Sequence, residues 1–467
     1  MSKLLRIYFA FAFFILTQVS LGQTLTPPLT GRTEIKQFAL YAEGNHPGLQ
    51  DSVRFGLRIN DKSTVTGGGL IGSNFHVNIG NSNNLSASIY SGNRIYLASD
   101  NVVNGNLLAR NDAGVSFKTV SIGAGNNQIG VTNPLSGGLI HARGNVAIAL
   151  ASGNTVQGPV RIQQPFTYSG PVPANGAPQY QATLDMPAMP VLPDPTNFPA
   201  FGTKNVAGGD IIAPGNYQDL IMKGKGTVTF KQPGVYVFRS MKSSGKNKFN
   251  FVIPTGSTES YRIYVHEDVD LGPTEVTVNN LGADGDGNFP LASRIYTEIH
   301  GTGATVPGGN AFRIKDTARA AGISAYWAGT IYATRGSIVL GSANSTDTYS
   351  AVYGALWSKT KIFIGNNVRV AYQPLAFAIS VIDPLYTPPP TGKVYDKIGA
   401  ELTFISQSGG DLPEDFDDVF RIDTQTSMVM IEVIAVQPND ANLLSFLQSL
   451  GFVLVSSAPD NLVITGY

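Results

Sequence analysis

A short phrase recurs along this chain. It consists of an aliphatic residue, one variable residue and Ser, Ala or Gly, followed by a polar turn and a second run ending in Ile or Leu. Copies read Ser88-Ile-Tyr-Ser-Gly-Asn-Arg-Ile-Tyr-Leu97, Gly138-Leu-Ile-His-Ala-Arg-Gly-Asn-Val-Ala-Ile148, Gly329-Thr-Ile-Tyr-Ala-Thr-Arg-Gly-Ser-Ile-Val-Leu340 and Gly354-Ala-Leu-Trp-Ser-Lys-Thr-Lys-Ile-Phe-Ile364. Ile71, Ile89 and Leu107 occupy equivalent places and fall 18 residues apart. One such unit cannot bury its own inner face, so a period of about 20 residues built from short alternating runs is satisfied by stacking copies on one another. The chain is therefore expected to be all-β, a parallel, right-handed β-helix or solenoid. Long alternating runs joined by two-residue hairpin turns are missing, which argues against an antiparallel sandwich.

The N-terminus reads as a targeting segment. Lys3 and Arg6 precede the short apolar run Ile7–Leu16, and Ser20-Leu-Gly22 offers small residues for cleavage before Gln23. Residues 1–22 are thus expected to be a signal peptide, and the mature chain to be extracellular or held at the cell surface without a membrane span. The absence of cysteine excludes disulfides, thiol catalysis and a lipid-modified N-terminal Cys. Basic and acidic residues balance at 32 each, which gives no reason to expect a nucleic-acid partner.

Residues 23–380 are assigned to the solenoid. Within it, residues 165–200 form a proline-rich excursion, since proline removes ladder donors. After it, Pro214-Gly-Asn-Tyr217 and Pro233-Gly-Val-Tyr236 repeat with an offset of 19 residues, each as a turn feeding a strand. Residues 301–328 interrupt the pattern, with a short helix expected near Ile314–Ala321. A Pro-rich linker, 381–395, leads to a small α/β module over 396–467 with strands near 428–436, 452–455 and 462–465. Its helix carries Leu443, Leu444, Phe446, Leu447 and Leu450 on one stripe. This β-α-β-β unit is expected to be most of a ferredoxin-like domain, either a truncated module or one cut from a longer polypeptide.

At these residues the chain resembles a known kind of bacterial surface protein. The phrases around Ser88–Leu97 and Gly329–Tyr372 and the paired Pro-Gly turns are similar to exported β-helical proteins of the pilus-associated, polymer-forming-adhesin type, over roughly residues 36–378. The tail resembles the propeptide-like module that precedes subtilisin-type proteases. That family's catalytic motifs are absent, so this second resemblance implies no activity.

The chemistry-bearing residues are sparse. His46, His76, His141, His266 and His300 form no metal-ligand spacing, and no nucleophile elbow, P-loop or Rossmann fingerprint occurs. Asp284, Asp286 and Asn288 alternate as oxygen ligands of a calcium loop would, but the twelfth position is Ile295. A solvated loop is the plainer reading, a structural calcium the sharper one, and no other cofactor is expected. If Ile71, Ile89, Leu107, Ile140, Ile331 and Leu356 point inward, alternation turns Tyr90, His141, Tyr332 and Trp357 outward, with Tyr96 and Phe363 on a neighbouring face. That column either stacks on sugar rings or a partner, or is covered by the proline-rich excursion. The expected role is structural or adhesive and non-catalytic, toward surface glycans, other surface proteins or copies of itself. The alternative is a carbohydrate-active enzyme, a lyase or glycosidase, whose carboxylates would converge in a groove.

Overall fold

The structure, a computed structural model, describes residues 33–377 except 45–54, 115–117, 131–137, 151–152, 282–288, 290, 303–308, 316–326 and 343–350. In the tail it describes 420–423, 428–433, 453–458 and 461–466. The chain divides into two compact units, Met1–Pro384 and Leu385–Tyr467.

The first unit is a three-sided parallel coil. Two of its faces are 13-stranded sheets, and the third is made of an eight-stranded and a four-stranded sheet. Every strand pairing in the coil is parallel, as the repeat required. The phrase residues stack in register, Ile71 on Ile89, Ile89 on Leu107 and Leu107 on Ile140, and all are fully buried. Ser73, Ser91, Ala109 and Ala142 stack in the same way. At another corner, Asn83, Asn101, Asn127 and Asn154 form an internal ladder. Each side-chain oxygen accepts the backbone N–H of the Asn in the rung before, at 2.9–3.0 Å. Each such bond contributes about 1 kcal/mol net, and far more is lost if a partner is deleted.

The order of rungs is not the order of the sequence. Phe38–Ala42 lies in the middle of the first face, paired on one side with Leu70–Ser73 and on the other with Leu356–Ser358. From there the N-terminal half-coil winds to one end, at Gln179–Gln181. The chain then crosses to the opposite end, where Val206–Ala207 starts the C-terminal half-coil that winds back to the middle. Both halves visit the faces in the same cyclic order, so along the axis the rungs run 206–371 and then 38–181. The seam is fully paired on all three faces, for example Tyr41 with Trp357, Leu57 with Ile362 and Val65 with Val370. Ser63 seals it, donating to the carbonyl of Gly365 at 2.8 Å while its own N–H feeds the Asn ladder at Asn83. Blocks 69–160 and 329–368 of the recurring phrase are therefore separated in space by a single rung, 38–66. The terminal strands Val206–Ala207, Ile211–Ile212 and Tyr168–Ser169 have two residues each, which limits the edge open to foreign strands.

The two halves fill their interiors differently. The N-terminal half is aliphatic, whereas Phe230, Phe249, Phe251, Tyr236 and Tyr261 pack together in the other, with Phe230 and Phe251 stacked at 4.6 Å. The Pro-Gly turns belong to this aromatic half. Tyr217 and Tyr236 each donate to the carbonyl four residues earlier, at Ala213 (2.5 Å) and Gln232 (2.7 Å), closing their own turns. Gly215 pairs with Tyr236, so the spatial repeat is 21 residues rather than the 19 of the motif. A Cβ at Gly234, where φ is +140°, would lie 2.6 Å from the Pro214 ring. The stagger thus seats one turn's proline on the next turn's glycine.

Two expectations change. The segment 301–328 continues the coil through the strands Asn310–Ile314 and Trp327–Ala328. Ile314 ends a strand rather than starting a helix, and 316–321 lie outside the described residues. The rungs also persist to Gln181, so the true crossing begins near residue 182 rather than 165. In the second unit four antiparallel strands take the order Phe420–Asp423, Met428–Val433, Asn461–Gly466, Val453–Ala458. The first of these was not anticipated. The helix expected over 439–450 lies outside the described residues, as does the signal segment.

Candidate functional site

The proline-rich crossing is a strap laid along the first face. Its prolines at 187, 190, 193 and 199 recur on a three-residue spacing, the period of a polyproline-II helix. Asp185, Val191, Asp194, Asn197 and Ala200 face solvent on that same spacing, while Leu184, Leu192, Thr196 and Phe198 are buried against the sheet. The coil grips the strap mainly through its carbonyls. Arg143 donates to Leu184 (2.8 Å), Arg110 to Pro187 (2.6 Å), Tyr41 to Pro190 (3.0 Å), Tyr332 to Pro193 (2.5 Å) and His266 to Pro199 (2.9 Å). A polyproline helix has no internal hydrogen bonds, so these carbonyls are free to accept. Composition alone revealed the excursion, but the every-third-residue proline was the sequence signal for its docking.

The strongest grip is at Glu298, whose carboxylate is completely buried. It accepts the Thr196 N–H and hydroxyl, both at 2.6 Å, the Tyr296 hydroxyl at 2.9 Å and the His300 ring N–H at 2.7 Å. Phe198 lies over this cluster, 4.8 Å from Tyr264, 4.6 Å from His266 and 4.4 Å from His300. The histidines at the strand ends thus anchor the strap.

This arrangement decides the outward column. Tyr332, Trp357, Tyr41, Gly72, Tyr90, Leu108 and His141 lie in register on the first face, but Tyr90, Tyr332, Trp357 and His141 are at most 4% exposed. As an open binding surface the column is corrected: the strap and Phe38 lie over it, and a Cβ at Gly72 would sit 2.4 Å from the Phe38 ring. Burial pushes the Tyr332 hydroxyl above its usual range. It lowers His141 to about 4, assisted by Arg161 and Arg143, and neither ring nitrogen of His141 finds a hydrogen-bond partner.

Tyr96 and Phe363 fall on the second face, which remains open. They belong to a stripe in which cations lean on rings. Arg58 lies 5.8 Å from the centre of the Phe55 ring and 5.9 Å from that of Phe363, Lys361 5.5 Å from Phe55, and Arg94 5.7 Å from Tyr96. Beside it a groove of about 470 Å³ is lined by Arg94, Lys118, Asn145, Ala147, Thr167 and Ser169. The stripe escaped notice in the sequence because its members come from rungs at 55, 94, 118 and 361, and only the seam sets 361 beside 55.

Among the carboxylates, Asp270 is held by Arg313 at 2.8 Å and Lys315 at 3.2 Å. Asp284, Asp286 and Asn288 lie outside the described residues. Among the described residues no cluster of three or more His, Asp or Glu side chains is placed to hold a metal ion. No family model, curated protein or solved structure matches the chain.

Proposed function

We propose that this is an exported structural or adhesive protein whose coil presents its second face to surface glycans, to other surface proteins or to copies of itself. The observation that carries this reading is the contrast between the two faces. One is sealed along its length by the strap, while the other leaves cations and aromatic rings open side by side. Rings and guanidinium groups held on a rigid sheet lose little conformational freedom on binding, which suits attachment. Export and an adhesin-like role are also what the resemblance of the repeat implies, and the tail resembles a propeptide-like module.

The test is a binding panel with the mature chain from Gln23: purified glycans, intact bacterial surfaces and the protein itself by sedimentation. Saturable binding in at least one arm, with no new reducing ends from any polysaccharide, is the expected result. Release of reducing ends would instead establish the carbohydrate-active alternative.

A further inference from the structure

We infer that the open second face binds an acidic polysaccharide, a polymer bearing carboxylate or sulfate groups, seated along the coil axis from Lys361 to Lys118. This rests on the binding role proposed above and names its ligand class.

The first observation is charge that is left over. Several cations elsewhere on the coil are held by carboxylates, Arg313 and Lys315 by Asp270, Arg239 by Asp219, Arg110 by Asp112 and Lys248 by Glu275, while, among the described residues, others such as Lys223 and Lys231 are not. Arg58, Arg94, Lys118 and Lys361 make no ion pair among the described residues. No Asp or Glu occurs on the second-face strands from Ser337–Leu340 through Ile362–Ile364 and Phe55–Ile59 to Tyr168–Ser169. Nε of Arg94 is buried without a hydrogen-bond partner. Arg94 lies in the column of His76 and Phe55 and Arg58 in the neighbouring column of Phe363, Asn78 and Tyr96, on rungs about 4.8 Å apart. The cations are thus spread along the coil axis over two adjacent columns, where a polymer with repeated anionic groups can reach more than one of them.

The second observation is what lies between the charges. Phe55, Tyr96 and Phe363 offer apolar ring faces to the C–H faces of pyranose rings. Ser169, in the groove beside Arg94 and Lys118, offers a hydroxyl to sugar hydroxyls, next to Asn145 and Thr167, whose amide oxygen and hydroxyl bond each other. Arg94 can bind a carboxylate or sulfate with two parallel hydrogen bonds. A neutral glycan would leave the cations unmatched as they lose water. Nucleic acid is disfavoured by the balance of charge over the whole chain, 32 basic against 32 acidic residues, which provides no broad positive field.

The experiment is affinity electrophoresis of the mature chain through gels containing alginate or polygalacturonate, with dextran, laminarin and DNA as comparisons. Retardation by the acidic glycans is expected. It should weaken as salt is raised, fall at least tenfold in R94E/K118E and about threefold in Y96A, and largely return in R94K. Melting temperatures will report whether each variant is folded, and these side chains are at least partly exposed. The inference is overturned if folded R94E/K118E binds like the wild type, or if dextran or DNA binds as tightly as alginate. Binding to a neutral glycan, a surface protein or itself alone would remove the ligand class and leave the binding role standing. Reducing-end release would remove the binding role as well.

Discussion

At the scale of single residues, the fold depends on polar groups being matched indoors. The Asn ladder does this with side chains that serve as acceptor for one rung and donor to another, so its members are buried at little cost. His141 is the opposite case. It lies under the strap with no hydrogen-bond partner, between Arg143 and Arg161, with Asp185 as the countervailing charge. Its folded value near 4 is below the unfolded 6.5, so between these values the unfolded chain binds the extra proton. Stability from this residue is complete above pH 6.5 and is lost as pH falls toward 4, at up to about 1.4 kcal/mol per pH unit. A His141→Phe variant, unable to titrate, should lose less stability across that window than the wild type, by on the order of 2 kcal/mol. Denaturant melts at pH 7 and pH 4.5 check it, and equal losses in the two proteins would refute this account of His141.

The strap is the element whose behaviour is least like a β-helix. It contributes no ladder strand between residue 182 and Val206, yet it crosses the first face from end to end. Its hold combines buried Leu184, Leu192 and Phe198, each worth about 1.5–3 kcal/mol, with the carbonyl grips and the Glu298 cluster. Glu298→Ala removes four acceptor contacts at once and leaves Thr196 and Tyr296 buried without partners. A loss of about 3 kcal/mol is expected, together with faster hydrogen exchange at the Thr196 amide. Glu298→Gln, which keeps one carbonyl acceptor, should recover part of both. If the Thr196 amide stays as protected in Glu298→Ala as in the wild type, the carboxylate is not the anchor.

As a whole, the first unit is a coil whose start lies in its middle. The two ends of the coil meet there: the Tyr372 hydroxyl donates to the Lys36 carbonyl, and a Cβ on Gly69 would sit 2.5 Å from the Tyr372 ring. A permuted chain running from Asn205 to Phe377, through a short Gly/Ser linker to Thr33, and ending at Ala200 should therefore fold into the same coil. It keeps the seam and most of the strap, and its first rung directly follows its N-terminus. Circular dichroism and a single cooperative melt, within a few degrees of the unpermuted unit, are the expected readouts. Two separate transitions would mean that the seam does not join the halves into one cooperative body.

The period of the phrase, the inward aliphatics and the small corner residues were legible in the sequence, because stacking in register demands the same residue type at the same place in every rung. So were the proline-rich excursion and the turns closed by Pro-Gly. The sequence by itself determined a parallel coil and which side of each strand faces its core. It could not reveal which rung lies beside which, because Tyr41 and Trp357 are joined by backbone pairing that carries no sequence signature. Nor could alternation tell an outward face that is open from one that is covered. That depended on where the strap came to lie. Only the tertiary structure decided that Tyr90, His141, Tyr332 and Trp357 are interior, and that Arg58, Arg94, Lys118 and Lys361 share one open face. The physical reason is that burial and charge pairing are properties of neighbours, and across the seam those neighbours are some 300 residues apart in the chain.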